Sequence, residues 1–159
     1  MNALARFNRD VLSQPGVRYL IVLLGVNDIG QPGSGGVPTE SAVSPRKIEV
    51  ALSQISDRAK ERGIRVMVGT LLPFGSTSTP GYFSPEKEKA REEVNDWIRA
   101  SHNFDAIADF DEAMQDPADP TRMRQEFDGG DHLHPNDAGA KAMADAIPLT
   151  FFSQSLARR

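Results

Sequence analysis

The sequence predicts an α/β protein, a three-layer α/β/α sandwich around a parallel sheet. Three observations point there. Helix-patterned and strand-patterned segments alternate along all 159 residues, the signature of repeated strand–helix–strand units with right-handed crossovers. The two strongest strands, "RYLIVLLG" from Arg18 and "IRVMVGTLL" from Ile64, are continuous apolar runs, as expected of strands covered on both faces. The loops that leave the strands at Gly25, Thr70 and Asp109 lie at their carboxyl ends, where open parallel sheets bind ligands.

Each element has its own reason. Leu4, Phe7, Val11 and Leu12 recur at helical spacing, and Pro15-Gly16 ends that helix. The first strand follows, then a long loop over 25–44 rich in Gly, Pro and Ser. Ser44-Pro45 reads as an N-cap with Pro at the first helical position. Ile48, Leu52, Ile55 and Ala59 form the stripe of that helix, and Gly63 closes it. After the second strand and a loop over 73–83, Ser84-Pro85 caps a long helix with Ala90, Val94, Trp97 and Ile98 inward. "FDAIADF" is a third, weaker strand. A polar, Pro-containing stretch leads to a last helix carrying Ala142, Met143, Ala146 and Ile147. No internal repeat or linker divides the chain, so residues 1–159 are expected to form a single domain.

Composition narrows the function classes. Hydrophobic residues make up 39% of the chain and charged residues 25%, enough apolar content for a packed core. The net charge of -4 argues against a nucleic-acid partner, which would need a basic stripe. The longest apolar run, "YLIVLLGV" over 19–26, falls well short of the roughly 18 residues of a membrane span. There is no cysteine, so disulfides and thiolate zinc sites are excluded. The start, "MNALARFNRDVL", reads as a helix and not as a signal peptide.

Two stretches carry chemistry. "LGVNDIG", residues 24–30, sits at the carboxyl end of the first strand. Gly25 would allow a sharp turn or a close approach of backbone to ligand. Asn27 offers a neutral amide donor of the kind that stabilises a developing oxyanion. The same residue types also build ordinary turns. The second stretch, "DGGDHLHPNDAG" over 128–139, crowds acids and imidazoles together. A carboxylate on Nδ1 of a histidine fixes the tautomer that leaves Nε2 free as a base. Asp131, three residues before His134, can make that contact locally. Pro135 suits a first helical position and so places His134 near the helix start. Solvated imidazoles at a capped helix start would look the same. Asp131, His132 and His134 could also share a zinc ion, although His102 is the only further histidine.

At these two stretches the chain resembles the SGNH hydrolases, the GDSL esterase/lipase family. Gly25-Val26-Asn27-Asp28 is similar to that family's Gly-x-Asn-Asp block. Asp131-His132-Leu133-His134-Pro135 is similar to its Asp-x-x-His-Pro block. The resemblance covers nearly the whole chain. It implies a flavodoxin-like SGNH fold and hydrolysis of a small-molecule carboxylic ester without a cofactor. It also implies His134 as general base, Asp131 as its orienting acid, Asn27 as oxyanion donor, and no catalytic part for His132. Gly25 and Asp28 would lie on the substrate side.

The family's nucleophile lies in a Gly-Asp-Ser block after its first strand, and no such tripeptide occurs here. By the resemblance, the first strand of this chain matches the family's third. The expectation is a domain that lacks its first two strands. Ser34, between Gly33 and Gly35, is a possible substitute nucleophile or simply a loop serine; Ser76 and Ser78 are no better placed. An uncharged edge at residues 19–24 would seek a partner, so a homo-oligomer, or pairing with an N-terminal segment, is expected. The alternatives are a non-catalytic remnant or interaction module with the same fold, and metal-assisted hydrolysis through Asp131, His132 and His134.

Overall fold

The computed structural model describes residues 2–153. The chain runs α1 (Ala3–Phe7), a π-helical turn (Asn8–Leu12), β1 (Tyr19–Val22), α2 (Val26–Gly30) and α3 (Pro45–Lys60). It continues through β2 (Arg65–Gly69), α4 (Pro85–Ala100), β3 (Ala106–Ala108) and α5 (Phe110–Met114). A short hairpin of β4 (Gln115–Asp116) and β5 (Asp119–Met123) precedes α6 (Asp137–Asp145) and α7 (Thr150–Ser153). The main sheet is parallel, in the order β1-β2-β3.

The strands alternate between two cores. Val66 and Val68 of β2 join Leu52, Ile55 and Ala59 of α3 and Val94 and Ile98 of α4. Met67, between those valines, faces the other way, toward Ala108, Phe110 and Phe151, with Met143 of α6 alongside. Helices therefore cover both faces of β2, which is why its sequence shows no polar alternation.

Four local details differ from the sequence reading. The first helix changes to π-helical geometry at Asn8, where Ser13 N donates to Asn8 O at 2.8 Å. The 25–44 segment contains α2 and a 3-10 turn at Thr39–Ser41. The polar stretch after β3 folds into α5 and the β4–β5 hairpin. Pro135 does not open the last helix. Asn136 is the N-cap, with Oδ1 accepting from Gly139 N at 3.0 Å, which satisfies one of the free N–H groups at the helix start. Pro135 instead pairs with Asp128 in an isolated bridge, flanked by Gly129 N to His134 O and Asn136 N to Phe127 O.

A buried ionic cluster ties the carboxyl end of β2 to its neighbours. Arg91 of α4 is 2% exposed at the side chain and lies between Glu88 and Asp111. Its Nη1 also donates to Leu71 O at 2.9 Å. Asn95, one turn on, accepts from Leu71 N at 2.7 Å and donates to Leu71 O at 2.9 Å. Among the described residues no buried side-chain polar atom lacks a partner. Removing Arg91 leaves the buried Glu88 carboxylate without its cation, whereas Asp111 keeps Arg99 at 2.8 Å. Arg91→Met is therefore expected to destabilise the fold by about 3–5 kcal/mol, read as a shift of the urea midpoint.

β1 pairs only with β2, so its other edge is free of strand partners among the described residues. On that strand Val22 is buried, whereas Ile21 is 43% exposed, with Leu23 and Leu24 exposed just beyond it. The strand residues themselves carry no charge to discourage pairing, and the Arg6–Asp10 pair flanks the groove beside them. Sedimentation of the chain at tens of micromolar is expected to show self-association. Ile21→Lys, which spares the buried Val22, is expected to weaken it; a monomeric wild type would remove this expectation.

Candidate active site

The first half of the site is a turn. Gly25 has φ of 126°, a backbone conformation that strains any residue with a Cβ. It swings the chain out of the sheet into α2, and Asn27 stands exposed in that helix's first turn. Asn27 Oδ1 accepts from Tyr82 Oη at 2.8 Å. Tyr82 is buried on the neighbouring 73–83 loop, edge-on to Phe74 with ring centroids 5.6 Å apart. Its ring lies so close to Gly30 that a Cβ there would sit 2.2 Å from ring carbons. Burial, and secondarily the Asp28 carboxylate, push the Tyr82 phenol up to about 12, so it stays a hydrogen-bond donor near neutral pH.

Lys87, in the first turn of α4, ties these loops together. Its Nζ donates to Gly30 O at 2.7 Å, Pro32 O at 2.6 Å and Gly81 O at 2.6 Å. Burial lowers its pKa.

The second half is the loop between the β4–β5 hairpin and α6. Asp131 Oδ2 meets His134 Nδ1 at 2.6 Å. The other carboxylate oxygen accepts from Leu133 N at 3.0 Å and His134 N at 2.8 Å. One side chain thus holds both the ring and the backbone that carries it. The His134 hydrogen bonds, the side-chain one first, draw the Asp131 carboxyl down to about 2. With Nδ1 held, Nε2 is the ring nitrogen left for chemistry. The His134 side chain is 73% exposed.

A second Asp–His pair is nested in the same loop. Asp128 bonds His132 Nδ1 and accepts from His132 N and Gly130 N. His132 takes the left-handed backbone conformation, φ 59°. Its spacing of four from Asp128 was visible in the sequence, but Asp131 was the acid singled out there. Among the described residues no three His, Asp or Glu side chains are grouped so as to hold a metal ion.

The two halves meet. Asn27 and His134 line one cavity of about 240 Å³ with Leu23, Leu24, Val26, Leu71, Leu72, Tyr82, Leu133, Pro135 and Met143. Its walls are mostly apolar, with one amide, one imidazole and one phenol as side-chain polar groups. Gly25 and Asp28 face elsewhere, toward a groove of about 530 Å³ shared with Asn2, Arg6 and Lys47. Ser34 is 5% exposed, in a turn closed by hydrogen bonds to Gln31 and Val37, and is not among the residues lining the Asn27–His134 cavity. Tyr82 and Lys87 were not singled out from sequence, because one reads as a loop aromatic and the other as a surface cation.

The model of the GDSL-like lipase/acylhydrolase family matches residues 1–142. No curated protein matches the chain. A protein assigned as an acylhydrolase from Bacteroides fragilis is similar with a TM-score of 0.74 at 18% identity, over 94% of this chain and 68% of its own. A GDSL-like lipase from Bacteroides thetaiotaomicron gives 0.70 at 18%, over 94% and 69%. An acetylxylan esterase from Geobacillus stearothermophilus gives 0.64 at 20%, over 98% and 68%. At these identities the likeness is one of fold.

The Asp131 carboxyl is expected to titrate near 2, measured by carbon-13 NMR. Its folded value lies below the ordinary one of roughly 3.9. The stability it contributes is therefore present above about pH 4 and is lost as pH falls through about 2. Asp131→Asn should remove that part of the acid-side dependence.

Proposed function

The chain belongs to the GDSL-like lipase/acylhydrolase family, and on that footing we propose that its site serves the hydrolysis of carboxylic esters. One observation carries the reading. Asn27 and His134, far apart in the chain, line one small apolar cavity, and Asp131 holds the far nitrogen of His134.

Each group has a step that its geometry suits. A hydroxyl attacks the ester carbonyl while its proton passes to His134 Nε2. The carbonyl oxygen becomes an oxyanion and accepts from Asn27 Nδ2. The tetrahedral adduct then collapses, the leaving alcohol takes its proton from His134, and the new ester on the attacking oxygen is cleaved by a water that gives its proton to His134, releasing the acid and restoring the hydroxyl. Asp131 stays ionised and stabilises the imidazolium. The apolar walls from Leu23, Leu71 and Met143 suit an acyl group. A ring nitrogen open to solvent exchanges protons with water between steps.

In the family-like scheme the attacking hydroxyl is a serine. No Gly-Asp-Ser occurs in this chain, and no serine or threonine is among the residues lining the cavity. That favours a second reading, in which the same fold binds small acyl compounds without turning them over. A fluorophosphonate probe separates the two, because only an activated serine forms the adduct.

If p-nitrophenyl acetate is hydrolysed, His134→Ala is expected to lower kcat by ~10²–10⁴-fold, and His132→Ala to change it little. Equal losses at both histidines would point to a shared metal. Asn27→Ala is expected to lower kcat on the order of 10²–10³-fold with KM nearly unchanged, as for a contact made mainly in the transition state. Hydrolysis no faster than buffer, with no adduct, would sink the catalytic reading.

A further inference from the structure

We infer that Tyr82 is a positioning residue for the oxyanion donor: its hydroxyl holds Asn27 Oδ1, and so turns Asn27 Nδ2 into the cavity. The inference rests on the hydrolytic reading for the meaning of that orientation, but the orientation itself is tested independently.

A primary amide has two nearly isosteric ends, and only the NH₂ end can donate. A rotation of half a turn about the Cβ–Cγ side of the amide would present Oδ1 to the cavity and repel an oxyanion. An exposed asparagine has little intrinsic reason to choose. Here one neighbour chooses for it. The Tyr82 hydroxyl has a single proton and two candidate acceptors, Asn27 Oδ1 at 2.8 Å and Val26 O at 3.5 Å. The shorter contact takes the proton; with the amide turned over, the hydroxyl would accept from Nδ2 and its own proton would be left only the long contact to Val26 O at 3.5 Å. Among the described residues Tyr82 is the one protein group that bonds the Asn27 side chain, and Nδ2 has no protein partner.

The hydroxyl is itself placed from three directions. The absent side chain of Gly30 lets the Tyr82 ring lie flush on α2. Phe74 meets the ring edge-on. Lys87 binds carbonyls on both the α2 loop and the Tyr82 loop, Gly30 and Pro32 on one side and Gly81 on the other. The phenol therefore reaches Asn27 across two loops that are bound to each other.

Tyr82→Phe removes the hydroxyl and keeps the packed ring. The first readout needs no activity: nitrogen-15 relaxation of the Asn27 side-chain NH₂ in the whole chain, assigned by its loss in Asn27→Ala. In wild type that group should be ordered. In Tyr82→Phe it should become as mobile as the exposed side-chain amide of Gln54, with the thermal melt little changed. An Asn27 NH₂ equally ordered in both, or equally mobile in both, overturns the inference. The second readout is kinetic. Tyr82→Phe should lower kcat about 10-fold with KM unchanged, the scale of one lost hydrogen bond. In an Asn27→Ala background it should have no further effect, because it acts through Asn27. Losses that simply multiply would mean a general structural role and would also overturn the inference. If wild type shows no hydrolysis, the proposed function fails, while the relaxation experiment still decides the orientation.

Discussion

Where β2 ends, the peptide of Leu71 leaves the sheet inside the protein, and its N–H and C=O must be met by something other than a strand. A buried backbone group left unpaired costs about as much as a lost hydrogen bond. Asn95 meets both groups, and Arg91 adds a charged donor to the carbonyl. A guanidinium in that place needs its own counter-charges, which Glu88 and Asp111 supply. Thr70, one residue earlier, donates to Asp109 and accepts from Asp111 N at 2.8 Å, so the start of α5 is drawn to the same point. One turn out of the sheet thus recruits α4, β3 and α5. The beneficiary is Leu71, whose side chain packs below Gly25 and lines the cavity beside Asn27.

The site on top of this frame depends on short-range chemistry. Asp131 satisfies two backbone N–H groups and one imidazole from a single side chain. Such a loop needs little core of its own, which suits a segment whose acid and base are both solvent-facing. The nested Asp128–His132 pair repeats the device one step earlier, although there the backbone must enter the left-handed region to close it. The two pairs share a loop but differ in surroundings. His134 borders the apolar cavity, and His132 is not among the residues lining it.

The helices of α3 and α4 were legible because Ser-Pro starts and apolar stripes are local signals that burial reinforces. The strands were legible as apolar runs, yet β1 stops at Val22, because Leu23 and Leu24 leave the ladder with the turn at Gly25. The β4–β5 hairpin was not legible: its residues are mostly polar, without apolar alternation, and its register is irregular between Gln115 and Asp116. In the site, Asp131 and His134 could be paired from sequence because the contact spans three residues. Tyr82 could not, because its hydrogen bond to Asn27 joins two loops, and no spacing rule connects position 82 with position 27. The groove that takes Gly25 and Asp28 shows the same limit. Adjacency in a motif does not settle which way each side chain faces, since successive residues of a helical turn point in different directions.

The three carbonyls gathered by Lys87 also bear on how the cavity breathes. Two loops that each held their own ends would open as separate local fluctuations. Loops knotted through one ammonium form a single cooperative unit, since parting either means stripping carbonyls from the same charge. In amide exchange, the segment after β1 and the segment before α4 would then share one opening free energy. The walls that carry the amide donor and the phenol would move together or not at all, and the imidazole wall is tied to them by a single backbone bond, Ser78 N donating to Asp131 O at 3.2 Å.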